Sequence, residues 1–116
     1  MHELAITQGM FDIVIQYATR DQAKKVTKIN LVIGEMTGVV SDSVQFYLDF
    51  LSKGTVAEGA VVSFVNIPAK AKCLACANTF EVNEFQWQCP QCDGISLEIV
   101  AGKELFVESI EVTDGN

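Results

Sequence analysis

The chain has 116 residues, 49% of them hydrophobic, and a formal net charge of -7. That is one ordinary domain with a modest core, and room beside it for a small satellite held by a metal. So acidic a chain is repelled by phosphate backbones and anionic bilayers, which counts against nucleic-acid and membrane-surface roles.

Residues 3 to about 19 read as a helix, with Leu4, Phe11, Val14 or Ile15, and Ala18 at helical spacing. Glu3, Gln8, Gly9 and Asp12 interrupt any apolar run of signal-peptide or membrane-spanning type. The expected compartment is therefore the cytoplasm, where paired cysteines point to metal before disulfide. Val26 to Glu35 reads as a strand that buries Ile29, Leu31 and Ile33. Ser41 or Asp42 is the expected cap of a second helix, lined by Val44, Tyr47, Leu48 and Leu51 and ended near Gly54. Ala60 to Ile67 is a further strand of open register, closed by Pro68. Leu105 to Val112 is the last, with Leu105, Val107 and Ile110 inward and Glu104 and Glu108 outward.

The expected fold class is α+β: a three-stranded sheet with two helices on one face, plus an inserted zinc-ribbon-like module. The domains divide as 1–67 with 103–116, and 68–102. Phe80, Val82, Phe85 and Trp87 are the expected core of the inserted module, on a hairpin turning near Asn83 and Glu84. Residues 68–72 and 101–103 read as linkers that leave its orientation loose.

The module carries Cys73, Cys76, Cys89 and Cys92, two C-x-x-C pairs separated by twelve residues. Two residues between cysteines let both thiolates reach one metal, and zinc takes four such ligands tetrahedrally. A closed shell leaves no position for an activated water, so the zinc is structural and hydrolysis there is excluded. A rubredoxin-type iron site uses similar pairs. A thioredoxin-like pair would need a helix start, which neither pair precedes.

His2 is the one histidine. The terminal amine, the amide nitrogens of His2 and Glu3, and the imidazole Nδ1 can close chelate rings in a plane. Such nitrogen ligation suits nickel(II) and copper(II) alike. Methionine removal requires a small second residue, so Met1 is expected to stay.

Met1-His2-Glu3-Leu4, Ile33-Gly34-Glu35 before Gly38-Val39, Cys89-Pro90-Gln91-Cys92 and the closing Glu108-Ser109-Ile110-Glu111-Val112 resemble the HypA/HybF proteins over the whole chain. The resemblance implies a nickel metallochaperone of [NiFe]-hydrogenase maturation, serving urease in some bacteria. It implies a nickel site at Met1, His2 and Glu3 and a zinc site at Cys73, Cys76, Cys89 and Cys92. It also implies two partners, a nickel-handling GTPase and the hydrogenase large-subunit precursor. The absence of a G-x-x-x-x-G-K-[ST] loop fits a division of labour in which a partner hydrolyses nucleotide. No enzymatic activity is expected, and the chain is expected to be a monomer or weak homodimer. The alternative is a zinc-ribbon interaction adapter without nickel function. Ala77 follows Cys76 where many knuckles have glycine, a departure expected to alter the local turn.

Overall fold

A computed structural model describes residues 2–82 and 87–114, with the side chain of His2 left aside. The elements run α1 (His2–Arg20), β1 (Lys25–Gly34), a 3-10 turn (Glu35–Thr37), α2 (Ser41–Leu51), β2 (Val61–Ile67), β3 (Lys70–Cys73), β4 (Thr79–Glu81), β5 (Leu97–Ala101) and β6 (Leu105–Thr113). They form two three-stranded sheets, β2-β1-β6 and β4-β3-β5, in a molecule 58 × 26 × 17 Å.

The first sheet is mixed. β1 runs parallel to β2 through the α2 crossover and antiparallel to β6. Alternation along β1 buries Ile29, Leu31 and Ile33 against both helices. Helix α1 contributes Met10, Phe11, Val14 and Ala18, and α2 contributes Val44 and Leu48. The α1 stripe begins at Thr7, and Leu4, expected on it, is exposed in the first turn. On β6, Leu105 and Val107 pair with Ile33 and Leu31, while Ile110 pairs with Ile29. Glu108 is the extra residue between them, and this bulge carries the inward positions from odd to even numbers. The open register of 60–67 resolves with Val62 and Phe64 inward.

Three local expectations change. The residue that caps α2 is Val40, which offers no side-chain cap, and the Ser41 hydroxyl instead lies 3.4 Å from Asn66 Oδ1 on β2. Residues 70–72, expected as linker, form with Cys73 the central strand of the second sheet, with β4 and β5 on its two sides. The small core there is Ala69, Ala71 and Val82, packed by Phe80, Leu97 and Ile99. Trp87 is not in it: the residue is 46% exposed, and β4 pairs with β3 rather than with a strand at Trp87. Phe85 and the expected turn at Asn83 and Glu84 lie outside the described residues.

The two sheets meet in hydrogen-bonded backbone rather than in slack linkers. Glu35 Oε1 accepts from the Ala69 amide at 3.2 Å, and Glu104 Oε1 accepts from the Gly102 amide at 2.8 Å. The Met36 amide donates to Gly102 O at 2.7 Å, and the Gly34 amide to Glu104 O at 2.6 Å. Gly34 and Gly102 touch so closely that a Cβ on Gly34 would overlap the Gly102 carbonyl. Gly102 itself has φ +110 and lies against Ala69.

Candidate metal centre

Two backbone knuckles of the same design hold the four cysteines. The Ala77 amide donates to Cys73 O at 2.8 Å, and the Asp93 amide to Cys89 O at 2.9 Å. The Cys73 amide donates to Asn78 O and the Cys89 amide to Gly94 O. Each turn closes with a left-handed residue, Ala77 at φ 65 and Asp93 at φ 60. Ala77 therefore takes the ordinary glycine conformation, and the turn expected to be altered matches its partner knuckle.

The four Sγ atoms lie within 4.8 Å of one another. Cys73 and Cys92 are 3.5 Å apart, and Cys76 and Cys89 are 3.6 Å apart. Four sulfurs bound to one zinc ion at about 2.3 Å stand about 3.8 Å apart. The cage thus has the dimensions of a tetrahedral thiolate site. Cys73 and Cys89 are buried and Cys76 and Cys92 exposed, so the site sits at a surface with one side covered. Gly94 packs onto it: a Cβ there would lie 3.2 Å from Cys92 Sγ and 3.4 Å from Cys73 Sγ.

The surroundings favour anionic sulfur at two positions. The Cys76 amide is the largest influence holding the Cys73 thiol below its usual range. Burial pushes Cys89 up, but the amides of Gln91 and Cys92 and two neighbouring thiols outweigh it and leave about 6. The Asn78 amide pulls Cys76 down, and burial with the Cys89 sulfur raises it on balance. The Gly94 amide likewise pulls Cys92 down, while the adjoining sulfurs and burial push it up to about 12. Thiols in close contact share few protons, and a divalent cation removes that conflict by binding all four as thiolates.

Among the described residues, the four cysteines are the only group of three or more potential metal ligands. Met1 and the His2 side chain lie outside the described residues. Glu3 is half-buried in the first turn of α1. Its carboxyl is held below the usual range, first by a hydrogen bond from the chain's terminal ammonium, and further by the Glu3 and Val40 amides.

Sequence reasoning missed Gly94, and it missed the contacts that Gly34 and Glu35 make with the second sheet. A glycine two residues after a knuckle cysteine was the available signal for the first. For the second, a glycine ending a buried strand was a signal of close backbone approach.

The model of the family described as "Hydrogenase/urease nickel incorporation, metallochaperone, hypA" matches residues 1–112. A hydrogenase maturation factor HypA of Caldanaerobacter subterraneus subsp. tengcongensis is 49% identical over 113 residues, 97% of this chain and 99% of its own. One from Dehalococcoides mccartyi is 46% identical, covering 98% and 96%. The solution structure of the Ni metallochaperone HypA from Helicobacter pylori superposes with a TM-score of 0.64 at 23% identity, covering 97% of this chain and 98% of that one. That likeness concerns the fold.

Proposed function

This chain belongs to the HypA family, and from that premise we propose that it binds nickel(II) at Met1, His2 and Glu3 and delivers it during [NiFe]-hydrogenase maturation. The family match that begins at residue 1 is the observation that carries the reading. The same delivery would serve urease where the cell has one.

Helix geometry supports the site. The first four amides of a helix have no intrahelical acceptor. α1 begins at His2, so the His2 and Glu3 nitrogens can turn to a metal without breaking the helix. The helix dipole opposes a cation there, and deprotonated amides with the Glu3 carboxylate offset it. An exposed backbone site suits a carrier that must release its cargo.

The thiolate cage has the opposite character. In this reading Cys73, Cys76, Cys89 and Cys92 hold structural zinc, and residues 68–102 form a zinc domain beside a nickel domain of 1–67 and 103–116. The protein acts in the cytoplasm without catalysing a reaction. It hands nickel on together with a nickel-handling GTPase and the hydrogenase large-subunit precursor. No described helix is long and apolar enough to cross a membrane.

The test is calorimetric nickel titration of untagged protein beside His2→Ala, with metal analysis of both. Loss of nickel binding with full zinc content and unchanged thermal unfolding is expected. An N-terminal extension, which blocks the amine, should reproduce that loss. Equal nickel affinity in the variant would refute the site.

A further inference from the structure

The four sulfurs of the cage fall into two pairs of one design. Cys92 is exposed and lies 3.5 Å from buried Cys73, and Cys76 is exposed and lies 3.6 Å from buried Cys89. Both distances are van der Waals contact for sulfur. Each pair joins the first knuckle to the second, over sequence separations of 19 and 13 residues. The buried partners are held in place. Cys73 ends β3, and the Cys89 sulfur accepts from the Gln91 amide at 3.4 Å and from Asn78 Nδ2 at 3.9 Å.

A solvent-open sulfur beside a fixed second sulfur is the arrangement in which a thiolate is oxidised and then resolved as a disulfide. Bound to a divalent cation, all four sulfurs are thiolates, so exposure decides which of them meets an oxidant first.

We infer that Cys76 and Cys92 are sites of oxidation by hydrogen peroxide, resolved by Cys89 and Cys73 to give two disulfides that cross between the knuckles. The inference rests on the zinc reading of the cage and is independent of the nickel site. The exposed thiolate attacks one peroxide oxygen, the O–O bond breaks and hydroxide leaves, forming a sulfenic acid. The buried thiolate then attacks that sulfur, the S–O bond breaks and a second hydroxide leaves. Two sulfurs give up two electrons and one peroxide takes them, so the cage consumes two peroxides. Sulfurs joined in disulfides are no longer thiolate ligands, and the ion is released. The two new bonds then staple the segment that the ion held. Pairing inside each C-x-x-C would instead leave the knuckles unjoined and the small core of Ala69, Ala71 and Val82 without support. Oxidation thus gives a folded, metal-free module, which a dithiol reductant and zinc return to its first state.

The test is titration of the untagged, zinc-loaded full chain with hydrogen peroxide, with free zinc read by a metallochromic indicator. Two equivalents of peroxide should release one zinc per chain. A sulfenic-acid trap present from the start should label Cys76 and Cys92. Stepwise reduction and alkylation, followed by mass spectrometry, should join Cys76 to Cys89 and Cys73 to Cys92. Amide exchange of residues 70–73 and 97–101 should stay slow after oxidation, and quicken roughly tenfold or more in the reduced, chelated chain. Disulfides inside the C-x-x-C pairs, a trap that labels Cys73 or Cys89 first, or fast exchange after oxidation would each overturn the inference. Metal analysis of the starting protein separates the two readings. A chain without zinc would overturn the cage reading and this inference together, whereas a zinc-loaded chain that forms other pairs would overturn this inference alone.

Discussion

Ala77 shows how little of a knuckle's backbone is written in ligand spacing. The two C-x-x-C pairs made the cluster of four thiols legible, because thiolates at that separation can converge on one ion. The conformation that aims them is another matter. Ala77 and Asp93 occupy equivalent left-handed positions at φ 65 and φ 60. Asp tolerates that region through its short polar side chain, whereas alanine carries a steric penalty of about 1–2 kcal/mol. Ala77→Gly should therefore stabilise the zinc-loaded protein by about 0.5–1 kcal/mol, after the greater unfolded freedom of glycine is subtracted. Thermal unfolding at saturating zinc measures it, and a lower melting temperature would contradict the assignment of strain. In the Cys73-Leu74-Ala75-Cys76-Ala77 string only the alanine standing where many knuckles have glycine points to this, since the strain comes from the fold of the turn and not from the residue's own preference.

At the scale of elements, periodicity located both helices and the three strands of the main sheet. Long amphipathic segments announce themselves through many residues at once. It failed on β3, because Lys70-Ala71-Lys72 is short, alternating and poor in β-branched residues. That strand exists because β4 and β5 flank it, a tertiary fact. The same failure hid the junction, where Glu35 accepts from the Ala69 amide. The Ala69 amide it accepts belongs to a residue only 2% exposed. Glu35→Ala strands that donor at a cost of about 1–3 kcal/mol. Amide exchange at Ala69 should quicken roughly tenfold to a hundredfold, with helix content and metal content retained. Unchanged exchange would mean that the carboxylate is ornamental and that the glycine contact and the remaining backbone hydrogen bonds hold the two sheets.

Over the whole molecule the two cores are unequal. Among the described residues the main core gathers eleven buried residues, ten from two helices and a sheet and Ala57 from the turn before β2. Among the same described residues the smaller has three, two of them alanine. So small a core cannot hold its own sheet, whereas a structural zinc ion supplies on the order of 10 kcal/mol of folding free energy. Chelation should therefore unfold residues 68–102 and leave the helices and the first sheet in place. Trp87, the sole tryptophan, lies in that segment and reports on it directly. Its emission should shift on zinc removal while far-ultraviolet helix signal persists. Simultaneous loss of both would show that the cores are one cooperative unit. The insertion itself was legible, since clustered cysteines between two apolar strands mark it. Its attachment was not, because backbone hydrogen bonds between distant segments leave no trace in local pattern.

β6 is synthesised after the metal-binding segment, yet it pairs with β1, which precedes that segment. β1 and β2 can meet as soon as both are made. Closure by β6 must wait until the ends of an intervening loop are brought together, and a floppy loop makes that slower. Once caged by its ion, the segment returns the chain to Gly102, beside Gly34 at the end of β1. With zinc in the cage, as proposed above, metal supply at the moment of synthesis would govern how quickly the sheet is completed. A cell short of zinc would accumulate chains whose central strand lacks one neighbour, which are substrates for chaperones and proteases.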